Sequence, residues 1–106
     1  MTSSYGMHGY LKAQPGQGDA LAAVLLEAAD ALADVSECLL YVVSRSLDDE
    51  DTVWVTEAWS NRQAHDDSLK DERVKALIQR AMPLVAGPPE ATELRPQGGK
   101  GLAVSR

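Results

Sequence analysis

The sequence predicts an α+β fold of ferredoxin-like type, with the element order βαββαβ and an antiparallel four-stranded sheet carrying both helices on one face. Three observations lead there. Residues Tyr5–Lys12 alternate in character, residues 19–34 repeat their apolar side chains at helical spacing, and two strand-like segments, 37–46 and 51–59, are separated only by an acidic turn.

In the first segment Tyr5, Met7, Gly9 and Leu11 fall on one face, and Gly6, His8, Tyr10 and Lys12 on the other. The run Gln14-Pro15-Gly16-Gln17-Gly18 ends it, because proline fixes φ and glycine opens turn conformations closed to other residues. Leu21, Val24, Leu25, Ala28 and Leu32 then form the apolar stripe of an amphipathic helix, opposite Ala23, Glu27, Asp30 and Asp34. The next two segments are rich in Leu, Val, Tyr, Thr and Trp, as strands prefer, and Asp48-Asp49-Glu50-Asp51 reads as a solvated hairpin turn without the ligand spacing of a calcium loop. Ser60 with Gln63 fits a capping box for a short helix near 61–67, and Ser68 with Asp71 a second start. The longer helix that follows buries Val74, Leu77, Ile78 and Ala81, Pro83 kinks or ends it, and Gly87-Pro88-Pro89 is a stop before a last strand at 91–95.

The 106 residues suit one domain, spanning 1–96, with 97–106 a tail that is flexible or contacts a partner subunit. A net charge of −6 and the absence of a basic stripe argue against nucleic acid. The longest apolar run is far short of a membrane span, and no leader segment is apparent, so a cytoplasmic protein with no membrane partner is expected. The single cysteine, Cys38, is read as a small buried hydrophobe. One sheet face is left bare by the helices, and Trp54, which points away from Trp59, is assigned to it. A second copy of the chain is the expected cover, giving a homodimer.

The stretch Val53-Trp54-Val55-Thr56-Glu57-Ala58-Trp59, followed by Ala64-His65, Ser68-Leu69, Ala81-Met82-Pro83-Leu84 and the tail Gly98-Gly99-Lys100-Gly101-Leu102, resembles the antibiotic biosynthesis monooxygenase family. The resemblance implies a dimeric α/β barrel, small quinol-like or polyphenolic aromatic substrates, and oxygenation by O₂ with no cofactor and no metal. The same fold hosts haem-binding and haem-degrading enzymes and proteins without known chemistry, so a haem relative with His65 as axial ligand and a non-enzymatic ligand-binding dimer are the alternatives.

Oxygenation without a cofactor needs a base, an apolar pocket and orientation of an electron-rich arene. His65 matches the family's Ala-His position and is the candidate base; the alternative is packing at the helix junction or a hydrogen bond to a nearby carboxylate. Glu57 is the second catalytic candidate, orienting a histidine or accepting a hydrogen bond, unless it pairs with Arg62. Two residues on from Glu57 in a strand, Trp59 shares its sheet face and is a candidate substrate wall or a core residue. Tyr41 and His8 are expected to line the same cavity, with Tyr10 more ordinary and strand register deciding among them. Arg80 is read as an exposed helix cation.

Overall fold

The alternation in β1, Tyr5–Lys12, becomes an inner strand, hydrogen-bonded to β3, Thr52–Trp59, on one side and β4, Glu90–Leu94, on the other. With β2, Cys38–Arg45, the sheet runs β2-β3-β1-β4 and every pairing is antiparallel. The computed structural model describes residues 4–102. Helices α1, Gly18–Ala31, α2, Arg62–Ser68, and α3, Glu72–Ala81, complete the expected α+β, ferredoxin-like order, the second helical segment being split in two. The apolar part of the tail, Leu102-Ala103-Val104, lies mostly outside the described residues.

Local chemistry differs from the sequence reading at both α2 and α3. The cap of α2 is Asn61, whose side chain accepts the Ala64 N–H at 2.8 Å, and not Ser60. Asp71 itself caps α3 by accepting from the Arg73 backbone, while Ser68 Oγ donates to the His65 carbonyl at 2.6 Å. In both places a short side chain one position or more downstream reached the free N–H groups better than the residue of the capping-box pattern. α1 ends at Ala31, with Leu32 its cap, three residues before the expected boundary. Pro83 sits in a 3₁₀ turn, Met82–Leu84, and Gly87, at φ +84°, makes the left-handed turn that sends the chain toward β4.

Tyr5, Met7, Leu11, Val53, Trp59 and Tyr41 lie on the sheet face that the helices cover. Two core clusters form there. Tyr5, Leu32, Trp59 and Val74 make one, and Ala13, Leu21, Ala22 and Val53 the other. Leu21, Val53 and Trp59 are wholly buried, each stabilising the fold by roughly 1.5–3 kcal/mol through apolar burial. Arg80 does not point into the core. It pairs bidentately with Glu27, at 2.9 and 2.8 Å, and ties α3 to α1.

The opposite sheet face carries His8, Tyr10 and Trp54, with ring centroids 5.0 Å apart for His8 and Trp54 and 4.9 Å for Tyr10 and Trp54. Trp54 therefore lies opposite Trp59, as its odd spacing in the strand dictates. Val42 and Leu94 are exposed large hydrophobics beside them. Among the described residues no helix is long and apolar enough to cross a membrane.

Candidate active site

A cavity of about 660 Å³ lies between the helices and the sheet, bounded by both core clusters. Met7 and Leu11 form its floor, Val24, Leu25 and Ala28 of α1 and Leu77, Ile78 and Ala81 of α3 its sides, and Pro88 and Pro89 lie at one margin. Polar side chains are few. Tyr41, Glu57, His65 and Ser68 reach its lining, beside Trp59. Such a space, apolar with a handful of polar groups, is the ordinary form of a small-molecule site.

Strand pairing explains why these groups meet. Tyr41 of β2 stands opposite Glu57 of β3, and Cys38 opposite Trp59, so all four share the covered face. This requires the irregularity between Cys38 and Leu40, where one extra residue on β2 restores the inward phase. Without it, Cys38 and Tyr41, three positions apart, would face opposite sides. Cys38 is part-buried against the Trp59 cluster, and burial raises its thiol above the ordinary value.

The Trp59 indole N–H donates to Glu57 Oε1 at 2.9 Å, which gives a carboxylate inside an apolar cavity a fixed partner. Arg62, the partner considered from sequence, instead reaches Glu93 at 3.0 Å and Asp66 at 3.8 Å. His65 is buried at 8% exposure and is held between two aromatic rings, Tyr5 at 5.1 Å and Trp59 at 5.8 Å. Its Nε2 lies 3.8 Å from Glu57 Oε1 and its Nδ1 3.0 Å from Asp66 Oδ1. A carboxylate only accepts, so the short contact is Nδ1–H donating to Asp66. Nε2 lies on the side of Glu57 and the cavity, and it is an acceptor whenever the ring carries a single proton, on Nδ1.

Tyr41 hydrogen-bonds no side chain among the described residues, and burial, followed by the Glu57 and Cys38 charges, pushes its phenol well above the ordinary value. It is a neutral hydroxyl for any molecule in the cavity. His8 is not part of the site within one chain. It lies on the uncovered face, exposed, with Nδ1 2.9 Å from Thr56 Oγ1 and its ring on Trp54, because even-numbered β1 residues point away from the helices. Tyr10 shares that face. Of the five residues selected from sequence, the fold thus gathers His65, Glu57, Trp59 and Tyr41 and leaves His8 apart.

The carboxylate contact considered for His65 from sequence is present and its partner is Asp66, which the sequence did not single out, whereas Tyr5 as a neighbour of His65 was missed. Tyr5 carried a signal, its alternation with Met7, whereas Asp66 carried only adjacency. Among the described residues no group of three or more His, Cys, Asp or Glu side chains is placed to hold a metal ion. Of the four adjacent acids at 48–51, Asp49 accepts from Lys12 and Thr52, and Asp51 from the Gly16 and Gly18 N–H groups around the start of α1.

A family model described as antibiotic biosynthesis monooxygenase matches residues 4–80. Among solved structures, a candidate antibiotic biosynthesis monooxygenase from Chloroflexus aurantiacus is 40% identical, with a TM-score of 0.86 over 95% of this chain and 100% of that one. Another candidate, from Caulobacter crescentus, is 26% identical, with a TM-score of 0.84 over 92% of each chain. A mutant of a cofactor-independent oxygenase from Streptomyces nogalater shares the fold, with a TM-score of 0.78 at 11% identity over 93% of this chain and 98% of that one. No curated protein matches the sequence.

Proposed function

The chain belongs to the antibiotic biosynthesis monooxygenase family, and from that premise we propose that it is a cofactor-independent monooxygenase oxidising a small quinol or polyphenolic aromatic with O₂. The observation that carries the reading is His65 Nε2 at the polar end of an otherwise apolar cavity, with Glu57 Oε1 3.8 Å away. A base there removes the proton of an aromatic hydroxyl or an activated ring CH₂, leaving an electron-rich anion that O₂ can oxidise. One oxygen atom is added to the substrate carbon, two substrate hydrogens are lost, and the second oxygen atom leaves with them as water. Trp59 supplies a flat wall for the arene, Tyr41 a hydroxyl for a substrate oxygen, and the apolar sides exclude water from the anion.

The reading includes a homodimer. It is supported by the uncovered sheet face, where His8, Tyr10 and Trp54 cluster beside exposed Val42 and Leu94. Apolar and aromatic side chains in one patch are characteristic of surfaces that bind another protein.

Oxygen uptake with a panel of dihydroxynaphthalenes and anthrones, with and without a metal chelator, tests the proposal against the His65→Ala variant. Uptake that resists chelation and falls about 100-fold or more in the variant is the expected result, in the range of general-base contributions. Absence of uptake across the panel from folded protein would overturn it.

A further inference from the structure

His65 is not held by its own helix alone. Asp66 Oδ1 takes its Nδ1 at 3.0 Å, Arg62 Nε lies 3.8 Å from Asp66 Oδ2, and the same guanidinium reaches Glu93 of β4 at 3.0 Å. Glu93 in turn accepts the Tyr5 hydroxyl at 2.6 Å, and Arg62 lies over the Tyr5 ring, 5.4 Å from its centroid. The chain of contacts closes on itself, because the Tyr5 ring is also 5.1 Å from the His65 ring. Three elements, β1, α2 and β4, therefore fix one imidazole.

We propose that Asp66 is a positioning residue that holds His65 in the Nδ1–H tautomer, with Arg62 holding Asp66. A neutral imidazole without a partner favours the proton on Nε2, which would turn a donor toward the cavity and remove the lone pair a base requires. A carboxylate at Nδ1 reverses that preference, because it can only accept. It also leaves two acceptors, His65 Nε2 and Glu57 Oε1, facing each other at 3.8 Å, too far for a hydrogen bond between them. A hydroxyl bound there has an acceptor on either side. Asp66 is not itself part of the cavity lining and meets it through His65, so its effect on a bound molecule passes through that ring. The inference rests on the oxygenase reading in one respect, the use of His65 as base.

Nitrogen-15 NMR of the imidazole rings tests it without turnover. At a pH where the ring is neutral, native protein is expected to show His65 protonated on Nδ1, with the proton moving to Nε2 in Asp66→Asn and Asp66→Ala. His8, bonded to Thr56 on the other sheet face, is the internal control and keeps its spectrum. Asp66→Glu is expected to restore the native form in part. An Nε2–H ring in native protein overturns the inference even if no variant folds, and so does an Nδ1–H ring that survives Asp66→Ala. With an active substrate, Asp66→Asn is expected to lower kcat about 10- to 100-fold while leaving KM near its native value, and rescue by Asp66→Glu separates positioning from general damage. Loss of all uptake in native protein would sink the oxygenase reading and leave the spectrum to decide this one.

Discussion

Trp59 donates its indole N–H to Glu57, 2.9 Å away and two residues earlier on the same strand, so the most buried aromatic of the core also satisfies a carboxylate in the cavity. Core and site are one construction here. Trp59→Phe keeps most of the ring but leaves Glu57, whose side chain is 14% exposed, without its fixed donor. The expected cost is about 2–4 kcal/mol, combining a lost hydrogen bond to a charged group with a small void. Urea denaturation measures it, and a cost below about 1 kcal/mol would mean that water replaces the indole without penalty.

Ala28 is buried on α1 and lines the cavity between the two core clusters. Ala28→Phe places a ring in that space. Fluorescence titration with a naphthol is expected to show at least a 10-fold loss of affinity, while the thermal midpoint stays level or rises because a void has been filled. Unchanged affinity would move the binding site elsewhere.

Alternation and helical spacing made the fold legible, because the residues on each face of β1 and on the stripe of α1 state which side is buried. The site was legible only as far as the same periodicity reached. Glu57 and Trp59 could be paired from their spacing, and His65 from the Ala-His pattern. Tyr41 joined them only because of the irregularity after Cys38, and no residue in Cys38-Leu39-Leu40 announces an extra position. His8 fails for the opposite reason. Its own alternation sets it with Tyr10 and Lys12, away from Met7, and the strand register keeps it there. That His65 meets a carboxylate was foreseeable, but that the carboxylate is Asp66 depends on the direction of one imidazole ring, which helix periodicity does not fix.

Gly9 of β1 pairs with Ala91 of β4. A Cβ at that position would come within 2.1 Å of the Glu90 carbonyl oxygen and 2.6 Å of Ala91 Cα, both backbone atoms that a rotamer change cannot move. Gly9→Ala is therefore expected to destabilise by roughly 1–3 kcal/mol and to loosen β4 first. Hydrogen exchange should show faster exchange at the amides of β4 than in α1. Uniform loss of protection would contradict a local effect.

Tyr5 gives the fold an alkaline limit. Burial foremost, and then the Glu93 carboxylate that accepts its hydroxyl, push its phenol from the ordinary value near 10 up to about 12. Folded protein thus holds this proton more tightly than unfolded chain, and stability must fall as pH rises wherever the two states differ in bound protons. The contribution is complete below pH 10 and is lost between about 10 and 12. Tyr41 is shifted in the same direction, so an alkaline decline alone does not identify its source. Tyr5→Phe separates them, because it retains Tyr41. At pH 8 the variant is expected to be less stable by about 1 kcal/mol, a modest figure because Glu93 is half exposed and partly solvated. Its stability curve from pH 10 to 11.5 should then be flatter than that of the native protein, so the two curves converge. Urea unfolding at pH 8, 10 and 11.5 reads both effects, and parallel curves would show that Tyr5 ionises in the folded state as easily as in the unfolded chain.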